Sequence, residues 1–223
     1  ILMTHLQKLH QPMYHLELKI GNSMDIVCFD MEGTLTPEIW EQVALDTGLY
    51  ELNKTTRDIP SYADLMDYRL GIMAKHNLKL PDVLVAAKKL ELLAGALDFL
   101  QEVRKYFQVV ILSDTFHEFA FPLMEKMGHP LLLCHTLDVD GEGNILGYKL
   151  RHPQAKKHAI LGFQAMGYKC LAVGDSYNDT QMFEVADHGF FINAPEGIAS
   201  SFPDIPSFYS YEELQAALLV NQS

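Results

Sequence analysis

Residues 28–35 read Cys-Phe-Asp30-Met-Glu32-Gly33-Thr34-Leu35, an apolar run that ends in two carboxylates and a Gly-Thr turn. A carboxylate held at the end of a buried strand can attack a phosphoryl group or bind a hard divalent cation. Three further segments offer matching chemistry. Ile111-Leu112-Ser113-Asp114-Thr115 delivers a hydroxyl at the end of an apolar run and is predicted to open a helix there, whose free N–H groups suit an anion. Lys156 and Lys157 stand ahead of a helical pattern, where either ammonium could neutralise a carboxylate and phosphate oxygens. Val173-Gly174-Asp175-Ser176-Tyr177-Asn178-Asp179 is again an apolar run ending in carboxylates. Asp175 supplies another oxygen ligand, and Asp179 can orient a metal-bound water or the lysine. Such a set, completed by waters and a phosphate oxygen, suits the octahedral oxygen coordination of Mg²⁺.

Taken singly, each residue has an ordinary structural use. Asp175, Asp179 and Ser113 could cap helices, and the lysine pair could be a solvated face. Jointly those readings do poorly, because three apolar runs each end in a suitable polar group.

The elements that must position these groups follow from the hydrophobic pattern. Ile26–Asp30, Gln108–Ser113, Leu131–Cys134, Cys170–Gly174 and Gly189–Ile192 read as buried strands. Amphipathic segments near Leu92–Tyr106, Phe116–Met127, Gln154–Met166 and Asp179–Ala186 read as helices between them. That alternation predicts an α/β fold, a doubly wound parallel sheet with helices on both faces and ligands at the carboxyl ends of its strands. From Pro37 to about Leu90 the alternation stops. Ile39–Thr47, Tyr62–His76 and Pro81–Lys88 are helical patterns with no strand among them. The expected organisation is therefore a core of residues 24–37 and 91–223, with residues 38–90 as a helical cap above the first strand's end. Residues 1–23 mix His, Gln, Lys and Glu with single leucines and are expected to be a poorly ordered extension.

The chain has 223 residues, 48% hydrophobic, with a formal net charge of −12, which argues against nucleic acid or an anionic membrane surface as partner. No apolar stretch approaches the roughly 20 residues that span a bilayer. The 3 cysteines, Cys28, Cys134 and Cys170, each lie in an apolar run and are expected to be buried thiols in a reducing compartment, with cytoplasm the default. The stretch from Asp138 to Lys149 matches an EF-hand loop at several positions, but Lys149 stands where calcium needs a bidentate carboxylate. The alternating flanks predict a β-hairpin with a Gly-rich turn instead.

Together, Asp30-Met-Glu32-Gly33-Thr34, Ser113, Lys156 and Gly174-Asp175-Ser176-Tyr177-Asn178-Asp179 resemble the four motifs of the haloacid dehalogenase (HAD) superfamily, over essentially the whole chain from Met24. The helical cap and Gly-Asp-Ser-Tyr-Asn-Asp resemble its phosphoserine phosphatase branch. Glu32 in place of the commoner Asp, and Asp114-Thr115 in place of a Gly-Gly, resemble a variant of that branch that also passes phosphate to homoserine.

The resemblance implies a phosphomonoesterase in which Asp30 is the nucleophile, Glu32 the acid and base, and Lys156 the charge partner. It implies Mg²⁺ on the Asp30 and Asp175 side chains and the Glu32 main-chain carbonyl, with Asp179 behind them. Ser113, Asp114 (through its N–H) and Asn178 are expected to touch phosphate or its water. Glu38 and Arg69 fit the ammonium and carboxylate of a small phosphorylated amino acid, with Arg57 the other candidate for the carboxylate. Other small phosphates fit the same motifs. A phospho-accepting receiver module shares the strand-end Asp and the Lys, but would need neither the acid at position 32 nor a cap.

Overall fold

The computed structural model describes residues 24–222; the N-terminal segment expected to be an extension lies outside them. Strand β1 (Met24–Phe29) leads into helices α1 (Ile39–Thr47), α2 (Tyr62–Lys75) and α3 (Leu80–Lys89). Then follow α4 (Ala96–Val103), β2 (Gln108–Phe116), α5 (His117–Lys126), β3 (Leu131–Val139) and β4 (Ile145–Lys149). Helix α6 (Ala155–Ala165), β5 (Tyr168–Gly174), α7 (Thr180–Phe183), β6 (His188–Ile192), α8 (Glu196–Ala199), β7 (Ser207–Phe208) and α9 (Tyr211–Val220) complete the described chain. The sheet order is β4-β3-β2-β1-β5-β6-β7, parallel throughout except for the antiparallel β3–β4 edge hairpin.

Both faces of the sheet are covered, which is why its strands read as continuous apolar runs. Ile26, Cys28, Val110, Leu112, Cys170 and Ala172 pack on Ile160 and Phe163 of α6. Val27, Phe29, Ile111, Leu171 and Val173 face the other layer, with Leu100 of α4, Phe119 of α5 and Leu214 of α9. The order reverses at β1, between β2 and β5, so a crevice opens at the carboxyl ends of these three strands. Asp30, Ser113 and Asp175 all belong to that end.

The stretch between β1 and α4 is helical, as the pattern predicts. Ser61 caps α2 by accepting the N–H of Asp64 at 3.3 Å, and Gly48 closes α1 in the left-handed region at φ +70°. Helix α1 packs on α3, and α3 on α5. The hairpin tip reaches this layer too: Leu80 donates its N–H to the Gly143 carbonyl at 2.9 Å.

Several expectations are corrected. Strand β2 runs on through Phe116, with a bulge against β3 between Leu112 and Phe116, and α5 starts at His117. Ser113 therefore caps no helix; its hydroxyl accepts the Thr115 N–H at 3.2 Å. Helix α4 is shorter than its amphipathic pattern because Gly95 turns the chain at φ +82° immediately before it. Strand β3 extends to Val139 because β4 pairs along it as the predicted hairpin. Strand β7 and helices α8 and α9 were not foreseen. All three cysteines are free thiols, but Cys134 is only half-buried. Among the described residues no helix is long and apolar enough to cross a membrane.

Candidate active site

The main chain after β1 is bound into the sheet: Asp30 donates its N–H to the Val173 carbonyl of β5 at 2.8 Å. Its side chain is buried, 5% exposed, and meets Lys156 Nζ at 2.8 Å. Lys156 lies in the first turn of α6, itself buried, and also contacts Asp179 at 2.7 Å and Asp114 at 3.6 Å. Lys157 points elsewhere and pairs with Glu184 at 2.9 Å. Of the two lysines, only Lys156 belongs to the cluster.

Three carboxylates surround that ammonium, and burial explains the electrostatics. Lys156 is held well above the ordinary lysine range: burial opposes its charge, but Asp179, Asp30 and Asp114 outweigh burial. Asp30 is pushed well above the ordinary carboxylate range by burial and then by the charge of Asp179. Asp175 is pushed up to about 7 by the same two causes.

Oxygen atoms of Asp30, Asp175 and Asp179 converge to within 4.8 Å of one another. Their free valences differ. Asp179 gives one oxygen to Lys156, and its other accepts the N–H groups of Asp175 and Ser176 at 3.0 Å each and the Ser176 hydroxyl at 2.9 Å. Among the described residues Asp175 accepts only a long bond, 3.5 Å, from the Thr34 hydroxyl. An all-oxygen donor set with Asp175 uncommitted and Asp179 fully used fits a hard divalent cation held by Asp30 and Asp175, with Asp179 behind. Two glycines make the room. A Cβ on Gly33, at φ +78°, would lie 2.4 Å from an Asp175 oxygen, and one on Gly174 would lie 2.3 Å from the Asp179 carboxyl carbon.

Glu32 is half-buried, and its carboxylate accepts the N–H of Ile39, the first residue of α1, at 2.8 Å. Burial and then the neighbouring charge of Glu38 push it up to about 8, so near neutral pH it carries a proton. Glu38 itself is exposed at the start of α1. Arg69 is 7% exposed on α2. It donates to the Lys54 carbonyl at 2.6 Å and lies 4.6 Å over the Trp40 ring, so it makes no ion pair with Asp64 or Asp67. Its Nε is buried without a partner among the described residues. Arg57 is exposed in the turn that precedes α2.

Asp114 is tied to the cluster by its side chain. It accepts from the Asn178 amide at 3.0 Å and faces Lys156; burial opposes ionisation, but Lys156, Asn178 and His135 hold its carboxyl below the usual range. The Tyr62 hydroxyl of α2 donates to the Asp114 carbonyl at 2.5 Å. Tyr62 and His135 were not singled out from the sequence. His135 had a signal: it directly follows the apolar run Leu131–Cys134, as Asp175 follows Cys170–Gly174.

Residues 24–187 match the model of the haloacid dehalogenase-like hydrolases. The chain belongs to the haloacid dehalogenase-like hydrolases. Among members of this family it is 45% identical over 196 residues to phosphoserine phosphatase ThrH of Pseudomonas aeruginosa, covering 88% of this chain and 96% of that one. It is also 45% identical over 193 residues to a phosphoserine phosphatase of Pseudomonas syringae pv. tomato, covering 86% and 81% respectively. A substrate-bound phosphoserine phosphatase complex superposes with a TM-score of 0.73 at 19% identity, over 88% of this chain and 99% of that one. A phospho-aspartyl intermediate analogue of phosphoserine phosphatase superposes with a TM-score of 0.70 at 19% identity, over 83% and 93%. These two share the HAD fold with the chain. Membership in this hydrolase family sets aside the receiver-module alternative: the protein is an enzyme of the haloacid dehalogenase-like hydrolase family.

Proposed function

We propose that this hydrolase cleaves O-phosphoserine through an aspartyl-phosphate on Asp30, with Glu32 as acid and base. The observation that carries the reading is the buried Lys156 ammonium, 2.8 Å from Asp30 and 2.7 Å from Asp179. It compensates the nucleophile's charge before substrate arrives and the phosphoryl oxygens afterwards. The names of the two 45% identical relatives support the substrate.

In the first step an Asp30 oxygen bonds to phosphorus, the ester P–O bond breaks, and Glu32 gives its proton to the departing serine alkoxide. A carboxyl pushed up to about 8 holds that proton near neutrality. In the second step Glu32, now ionised, takes a proton from water. The water oxygen bonds to phosphorus and the P–O bond to Asp30 breaks, which restores both groups. Lys156, Ser113 and Asn178 hold phosphoryl oxygens, and Asp114 contributes its main-chain N–H. Asp30, Asp175 and the main-chain carbonyl of Glu32 would hold Mg²⁺, which supplies neutralising charge for those oxygens when bound.

Residues 38–90 act as the cap that reads the amino-acid end. Glu38 takes the ammonium, and Arg69 takes the carboxylate with the donors its Lys54 contact leaves over; Arg57 is the alternative partner. Homoserine can replace water as acceptor if its hydroxyl gives its proton to Glu32 in the second step.

The test is phosphate release from a panel of small phosphates with Mg²⁺, with and without homoserine. Release from phosphoserine, and phosphohomoserine when homoserine is added, are the expected results. Release only from a nucleotide or sugar phosphate would overturn the substrate. Asp30→Asn should abolish turnover; an active D30N enzyme would overturn the nucleophile.

A further inference from the structure

His135 is 3% exposed, midway along β3, where it stands opposite Phe116 in the register with β2. Its Nδ1 accepts the backbone N–H of Arg151 at 3.1 Å. A nitrogen that accepts carries no proton, so in the neutral ring the proton sits on Nε2. Nε2 is the atom aimed at the site: it lies 3.7 Å from Asp114 Oδ1. Burial holds the ring below the usual histidine range although Asp114 pulls the other way, which agrees with a neutral ring. The rings of Tyr62 and Phe116, with centroids 6.0 and 6.3 Å away, wall it in.

Asp114 in turn braces two groups that face the phosphoryl position. Its Oδ2 accepts from Asn178 at 3.0 Å and lies 3.6 Å from Lys156 Nζ. The bulge between Leu112 and Phe116 frees this stretch of β2 from the ladder, so its side-chain contacts must aim the carboxylate. At 3.7 Å the histidine contact is charge against dipole, one small carboxylate rotation short of a hydrogen bond.

We propose that His135 is a positioning residue, locked as the Nε2–H tautomer by the Arg151 N–H, that fixes the Asp114 carboxylate against Asn178 and Lys156. It touches no substrate and acts through Asp114. The kinetic part rests on the phosphoserine phosphatase reading; the tautomer does not.

The tautomer is read by long-range ¹H–¹⁵N correlation on the full chain labelled at histidine. A pyrrole-type Nε2 and a pyridine-type Nδ1 for His135, assigned by its loss in H135Q, are expected; the reverse pattern overturns the proposal whatever the substrate proves to be. The coupling is read by a double-mutant cycle on kcat/KM for phosphoserine, assayed below each variant's melting temperature. H135L should lose about tenfold, the scale of a donor to a charged group. H135Q, which keeps a donor near Nε2, should stay within about threefold of the parent. In a D114N background H135L should cost less than about twofold more. Losses that multiply, or H135Q falling as far as H135L, would overturn the proposal. If H135L does not fold, H135M, which also lacks a donor, takes its place in the same cycle.

Discussion

The Glu32 carboxylate accepts the Ile39 N–H at 2.8 Å, so the proposed proton donor also holds the first turn of α1. The proposed chemistry and the start of α1 therefore share one side chain. Glu32→Gln keeps an acceptor for Ile39 but cannot exchange protons. Turnover should fall about 10²- to 10⁴-fold, with the melting temperature near that of the parent. Glu32→Ala loses the acceptor as well and should cost a further ~1 kcal/mol, about 2–4 °C in a chain of this size. Calorimetry beside a phosphate-release assay separates the two effects, and an E32Q enzyme at full speed would remove Glu32 from the mechanism.

With divalent cations chelated, stability should fall as pH rises from about 5 to 8. Glu32 at about 8 and Asp175 at about 7 both bind protons more tightly folded than unfolded, where carboxyls titrate near 4. Across that window the folded chain holds more protons, so ∂ΔG/∂pH is negative. The contribution is complete below about pH 4 and lost above about 8. Added Mg²⁺ should restore melting temperature at pH 8, where the carboxylates are ionised, and Asp175→Asn should erase most of that rise. A pH-independent melting curve in chelator would contradict the assigned proton affinities.

Gly174→Ala places a methyl group 2.3 Å from the Asp179 carboxyl carbon. Either β5 or Asp179 must move, and Asp179 holds Lys156 and the turn after β5. A cost of about 1–3 kcal/mol is expected, with an activity loss larger than the stability loss alone explains. Gly71→Ala is the control, since nothing lies within 4 Å of its Cβ. Equal behaviour of the two variants would show that the close approach is unimportant.

Arg69 has one donor on the Lys54 carbonyl and its plane over Trp40. Arg69→Lys keeps the charge but loses the fork, and should raise the KM for phosphoserine about tenfold or more with a smaller change for a phosphate lacking the carboxylate. Equal effects on both substrates would move carboxylate recognition elsewhere, with Arg57→Lys the next variant to measure.

Much of this architecture was legible locally. The runs Ile26–Asp30 and Cys170–Gly174 are apolar because β1 and β5 are buried on both faces, and a strand in that position has no other sequence available to it. The extent of β2 was not legible: Ser113-Asp114-Thr115 looks like a helix start, and only pairing with β3 shows that the strand resumes at Phe116. The final helix α9 was missed, although it packs Leu214 and Leu218 into the core.

The covalent order by itself determined which polar groups stand at the ends of the inner strands, because burial of each strand depends on residues next to one another in the chain. It determined Asp30, Glu32, Ser113 and Asp175 in that way. Tertiary structure decided how they are paired. It chose Lys156 over its neighbour, committed both oxygens of Asp179 while leaving Asp175 nearly unused, and brought His135 and Tyr62 to Asp114. Those choices turn on distances between segments far apart in sequence, and on the room left by Gly33 and Gly174, which no local pattern encodes.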